Sequence, residues 1–86
     1  MDNRILQLRK QIDDIDEKII SLLKERMKVS IQVGRLKEKL AIPIEDKNRE
    51  EEIINRLTKQ AGSNLSEEQL IRIFTAVFKS SKMVQG

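Results

Sequence analysis

The sequence predicts an all-α protein, and three observations carry that prediction. Apolar residues recur every three, then four, positions from Ile5 to Leu40. Two shorter amphipathic stretches follow, set apart by a proline connector and a glycine turn. Nowhere does hydrophobicity alternate with the period of two that a half-buried strand requires.

The first helix is expected over about 2–41. With Ile5 as heptad position a, that series reads Ile5, Ile12, Ile19, Arg26, Val33 and Leu40, and the d series reads Leu8, Ile15, Leu22, Val29 and Leu36. The helix ends around Leu40–Ala41, because Ile42 precedes Pro43 and a residue before proline avoids helical torsions. The stretch 5–40 alone would be about 54 Å long at a rise of about 1.5 Å per residue. A compact chain of 86 residues has a radius of gyration of only about 12 Å. A helix longer than its own globule needs company, so an obligate homodimer is expected, each long helix burying the other's seam.

The second helix is expected over 46–61, with Asp46 as N-cap and Gly62 as the residue past its end. The third is expected over 66–85. Ser66-Glu67-Glu68-Gln69 fits a capping box, and Leu65 with Leu70 fits a hydrophobic staple. Its apolar stripe runs Leu70, Ile73, Phe74, Val77, Phe78 and then meets Ser81, Val84 and Gln85. The three helices form a single domain, 1–86.

Composition removes several classes of function. The chain has no Cys and no His, so thiolate chemistry, the commonest general base and the commonest metal ligand are all missing. No cofactor and no metal are expected. No segment approaches the ~20 apolar residues of a membrane span, and the start, Met1-Asp2-Asn3-Arg4, lacks the apolar core of a signal peptide. A cytoplasmic location with no membrane contact is expected. The net charge of +3 and pI near 9.4 suggest nucleic acid, but Asp13, Asp14, Asp16, Glu17 and Glu25 interrupt any basic stripe, and no Trp or Tyr offers a stacking platform. No nucleic-acid partner is expected.

What remains are polar residues on apolar faces. Arg26 interrupts the seam of the first helix, where a charge costs several kcal/mol unless something pairs with it. Arg9 and Lys37 flank the same seam at e positions, with Lys37 about 16 Å from Arg26 along the axis. On the second helix Arg49 lines up with Ile53, Leu57 and Ala61, while Asp46 and Glu50 line up with Ile54. On the third, Ser81 and Gln85 stand where the Val77 stripe should continue.

Each has a plain structural explanation: Arg26 as a register device, Arg9 and Lys37 as solvated flanks, Arg49 and Glu50 as surface residues of a helix start, Ser81 and Gln85 as marks of fraying. Their coincidence favours a binding site for a small ligand with more than one carboxylate. Without a nucleophile or metal, fixed charges and donors can still promote a unimolecular rearrangement, by holding a reactive conformer and stabilising charge that develops during the reaction.

Taken with Leu8-Arg9-Lys10-Gln11-Ile12-Asp13, Leu23-Lys24-Glu25-Arg26, Val33-Gly34-Arg35-Leu36-Lys37 and Pro43-Ile44-Glu45-Asp46-Lys47-Asn48-Arg49-Glu50, and with Ile73-Phe74, Ser81 and Gln85, the chain resembles the small all-helical chorismate mutases, the AroQ type, over essentially its whole length. The resemblance implies an intertwined homodimer that converts chorismate to prephenate by a Claisen rearrangement in phenylalanine and tyrosine biosynthesis, as a monofunctional isomerase without cofactor. It implies that Arg9 reaches into the partner's site and, with Arg26, holds the carboxylates, assisted by Ser81 and Arg49. It further implies that Glu50 and Asp46 meet the ring hydroxyl, while Lys37 and Gln85 donate to the ether oxygen. Lys37, Gln85, Glu50 and Arg26 are thus the expected catalytic residues; Gln85, one residue from Gly86, is expected to be the least firmly held.

Two alternatives remain. An isochorismate-pyruvate lyase would share the fold, but such lyases resemble this chain least at Glu50, where they are expected to carry an apolar residue. A non-enzymatic coiled-coil dimerisation module would need Arg26 only for partner choice. Gly34, about 1 kcal/mol worse than Ala inside a helix, is tolerable if another helix approaches closely there.

Overall fold

The computed structural model describes residues 2–86; Met1, where the expected domain begins, lies outside them. Helix α1 spans Asn3–Lys39, α2 spans Lys47–Ala61 and α3 spans Glu67–Gln85, with no strand among the described residues. The all-α prediction is correct. Asp2 caps α1, its side chain accepting from the Arg4 amide at 2.7 Å. Asp46 and Ser66 cap α2 and α3, and the Ser66–Gln69 capping box has both of its reciprocal bonds.

The end of α1 shows how the chain is turned. Ile42 N–H donates to the Lys37 carbonyl at 2.8 Å and Ala41 N–H to Glu38 at 3.2 Å, the paired bonds of a Schellman motif. That motif needs a left-handed residue, and Ala41 supplies it at φ 55°. The Cβ of alanine makes this conformation cost about 1–2 kcal/mol, which Pro43 helps to enforce by forbidding further helix. The helix therefore stops at Lys39 rather than at Leu40–Ala41.

Packing is uneven along the molecule. α3 packs against both α1 and α2, whereas α1 and α2 do not pack on each other. Only Ile53, Leu70 and Phe78 are buried apolar residues among those described. On α1 the residues turned towards α3 are small or polar at the closest points, Ser30 and Gly34. Every residue from 2 to 22 is exposed. Leu8, Ile12, Ile15 and Leu22, all seam positions, stay 53–63% exposed, a continuous apolar stripe of the kind that marks an interaction surface. The molecule measures 56 × 24 × 16 Å with a radius of gyration of 16.3 Å, well above the value of about 12 Å for a compact chain of this length.

Candidate active site

The lower half of α1, the connector, the first turns of α2 and the last turns of α3 enclose a cleft of about 280 Å³. Seven of the eight residues singled out from the sequence line it: Arg26, Lys37, Asp46, Arg49, Glu50, Ser81 and Gln85. Arg9 does not. It lies exposed on the free part of α1, roughly 25 Å from Arg26 along the helix, too far to serve the cleft of its own chain.

Within one chain the seam neighbours of Arg26, namely Leu22, Val29 and Leu36, are uncovered. Arg26 sits where that stripe meets the face packed on α3. Its Nη1 donates a hydrogen bond to the Ser81 Oγ, and its guanidinium carbon lies 5.9 Å from the Phe78 ring centroid. Burial first, and the nearby Arg49 cation second, push its pKa below the ordinary guanidinium value. It stays charged.

Lys37 donates from Nζ to the Ile44 carbonyl at 3.1 Å, so the connector folds back over α1. Neither Arg26 nor Lys37 has a carboxylate within ion-pair distance among the described residues. Their hydrogen bonds to a hydroxyl and a carbonyl leave both charges uncompensated. Arg49 turns partly outward, with Nη1 3.4 Å from Glu52. Asp46 has one oxygen committed as the α2 cap, accepting from the Arg49 amide at 3.0 Å.

Gln85 is held more firmly than its place near the chain end suggested. A Cβ added to Gly34 would lie 2.6 Å from the Gln85 Cα and 2.8 Å from its carbonyl oxygen, so the glycine allows α3 to come down on α1 there. Gly86 N–H then donates to the Lys82 carbonyl at 3.1 Å and closes the last turn. The Gln85 Oε1 is buried and has no hydrogen-bond partner among the described residues. An orphaned amide in a cleft of this charge is suited to a bound ligand. Half a turn about its last bond would present the Nε2 donor instead.

Two polar lining residues were not singled out from the sequence. Ser30 is buried on the cleft wall, but a small hydroxyl at a helical e position carries no pattern that distinguishes it. Lys82 is more informative. Its Nζ donates to Glu45 Oε2 at 2.8 Å and lies 3.3 Å from Glu50 Oε2. The bond to Glu45 is the main cause of the raised Lys82 pKa, and Lys82 in turn holds the Glu45 carboxyl below its usual range. Glu45 lies on the connector, so the pair depends on how the chain folds back and not on helical spacing.

The cleft therefore presents four cations, Arg26, Lys37, Arg49 and Lys82, against two carboxylates, Asp46 and Glu50. The hollow of about 480 Å³ between α2 and α3 is larger, but Glu50, Glu51 and Glu67 in its wall would repel an anion. No cluster of metal-ligating side chains occurs among the described residues, and no described helix is long and apolar enough to cross a membrane.

The family model for chorismate mutase type II matches residues 8–86. The chain is 35% identical over 86 residues to a chorismate mutase of Methanocaldococcus jannaschii, covering 99% of this chain and 87% of that protein. It is 40% identical over 78 residues to a bifunctional chorismate mutase/prephenate dehydratase of Aquifex aeolicus, of whose length it spans 22%. The crystal structure of Helicobacter pylori chorismate mutase in complex with prephenate superposes with a TM-score of 0.90 at 32% identity, over 98% of this chain and 91% of that one.

Proposed function

The chain belongs to the type II chorismate mutase family, and from that membership we propose that it converts chorismate to prephenate, as an intramolecular isomerase serving aromatic amino acid synthesis. Residues 1–86 act as one domain in this reading. The observation that carries it is the pair of uncompensated cations, Arg26 and Lys37, facing a cleft that also holds the orphaned Gln85 amide. A partly buried guanidinium without a counter-ion is costly, and a dianionic substrate would supply the missing charge.

Arg26, with Ser81 bonded to it, is assigned to one substrate carboxylate, and Arg49 assists. Arg9 is assigned to the cleft of a second copy, because its own cleft is out of reach. That requires the exposed seam of α1 to pair with its counterpart in a homodimer, which would also cover the stripe from Ile5 to Leu22. Glu50 and Asp46 accept from the ring hydroxyl; Asp46 has its second oxygen for this, the first being held by the helix cap.

The chemistry is a concerted bond exchange in which the ether C–O bond breaks while a C–C bond forms. Lys37 and Gln85 act where it matters: as the ether oxygen gains negative charge, an ammonium and an amide N–H stabilise it more than they stabilise the ground state. The cleft also selects the folded conformer whose reacting carbons are close. No proton transfer or covalent intermediate is involved.

The test is to incubate the purified protein with chorismate and follow the loss of its absorbance with the appearance of prephenate. Turnover supports the assignment. Pyruvate released from isochorismate, with chorismate untouched, would replace it with a lyase, and inertness towards both would leave a helical bundle without this enzymatic role.

A further inference from the structure

Among the described residues the ion pairs are local, except the two made by Lys82. Arg4–Asp2, Lys10–Asp14, Arg49–Glu52 and Arg72–Glu68 each join residues within four positions of one another on exposed surface. Lys82 instead ties three separate parts of the chain together: the end of α3, the connector through Glu45 at 2.8 Å, and the start of α2 through Glu50 at 3.3 Å. Its side chain and that of Glu50 are 31% and 28% exposed, the least exposed ion pair among the described residues, and both line the cleft.

From this geometry we propose that Lys82 is a positioning residue for the rearrangement, fixing the Glu50 carboxylate for the substrate hydroxyl; the proposal rests on the role given to Glu50 above. Three carboxylates, Glu45, Asp46 and Glu50, gather within six residues at the cleft mouth. Left to themselves they repel one another and the anionic substrate. The Lys82 ammonium offsets two of them and takes up Glu50 Oε2, leaving Oε1 without a partner among the described residues to accept from a ligand. Because Lys82 stands between Ser81 and Gln85 on α3, one helical turn sets both the groups that touch substrate and the group that aims Glu50. A loosely held glutamate would lose part of this orientation in each catalytic cycle.

The experiment is a double-mutant cycle on the full chain, with kcat/KM for chorismate measured for the wild type, Lys82→Met, Glu50→Gln and the double variant, and unfolding followed by dichroism. Lys82→Met is expected to lower kcat/KM about tenfold in the native background and less than about twofold once Glu50 is already Gln. Lys82→Arg, which can still bridge both carboxylates, is expected to recover most of the loss. If Lys82→Met does not fold, Lys82→Gln takes its place in the cycle. Equal losses in both backgrounds would mean that Lys82 only holds the bundle together, and no loss would give it no role; either overturns the proposal. An active wild type with either result spares the parent assignment, whereas a wild type inert to chorismate overturns both.

Discussion

Gly34 and Gln85 touch backbone to backbone, with room for nothing larger than hydrogen between them. Gly34→Ala would gain about 1 kcal/mol in helix propensity and lose about 1–3 kcal/mol to overpacking. The added Cβ would meet backbone, so the net effect is a loss of up to about 2 kcal/mol, and the displacement falls on Gln85. We expect kcat/KM to drop at least about tenfold with the unfolding midpoint lowered by up to about 15 °C. Unchanged turnover would detach Gln85 from the chemistry.

Arg26→Leu separates a site from a seam. The substitution removes a partly desolvated cation and extends the apolar stripe, at the cost of the bond to Ser81, so the two effects nearly cancel to within about 1 kcal/mol. Turnover should be abolished while the helical dichroism and unfolding midpoint stay near those of the wild type. Full activity in this variant would reduce Arg26 to a device for choosing partners.

Lys37→Ala tests the charge on the ether oxygen. Loss of a preorganised donor to a developing anion costs about 2.7–4 kcal/mol, so kcat should fall at least ~100-fold. The bond to Ile44 is lost as well, and steady-state kinetics beside a melting curve distinguish the two consequences. A change below about threefold is too small for a group assigned to that oxygen.

Subunit exchange tests the assignment of Arg9. Arg9→Ala and Arg26→Ala proteins should each be weak, because every cleft would lack one cation. Mixed under conditions that allow exchange, they form heterodimers in which one cleft draws both arginines from intact positions. Recovered activity is the expected outcome; none, with exchange shown by mass spectrometry of native complexes, would place Arg9 outside the site.

The bridge from Lys82 to Glu45 carries a pH signature. Glu45 is depressed chiefly by its bond to Lys82, so its contribution is present above the unfolded carboxylate value and disappears as pH falls through the lower folded one. Lys82 is raised chiefly by Glu45, so its contribution is present below the unfolded ammonium value and disappears as pH rises through the higher folded one. Denaturant midpoints of wild type and Lys82→Met should differ around neutrality and converge in acid below the carboxylate range. Both groups are exposed enough that the gap is modest. A gap that persists undiminished in acid would assign it to packing instead.

The helices were legible because their signals are local. Ser66–Gln69, Asp46 and Pro43 each act within a few residues, and each acts as its chemistry requires. Arg26, Ser81 and Gln85 were legible as polar breaks in apolar periodicity, without any knowledge of what they would meet. Lys82 also breaks a stripe, the Leu70–Phe74–Phe78 row that it continues four residues on, but its partners lie 37 and 32 residues earlier, where no helical spacing reaches. Ala41 was hidden for a different reason: nothing in an alanine announces a left-handed turn.

Residues 2–22 make up a quarter of the chain, and every one of them is exposed. In the proposed homodimer, helical order borrowed from a second molecule makes folding a bimolecular event. Cellular abundance would then govern how many competent catalysts exist, with scarce chains silent and plentiful ones switching on together.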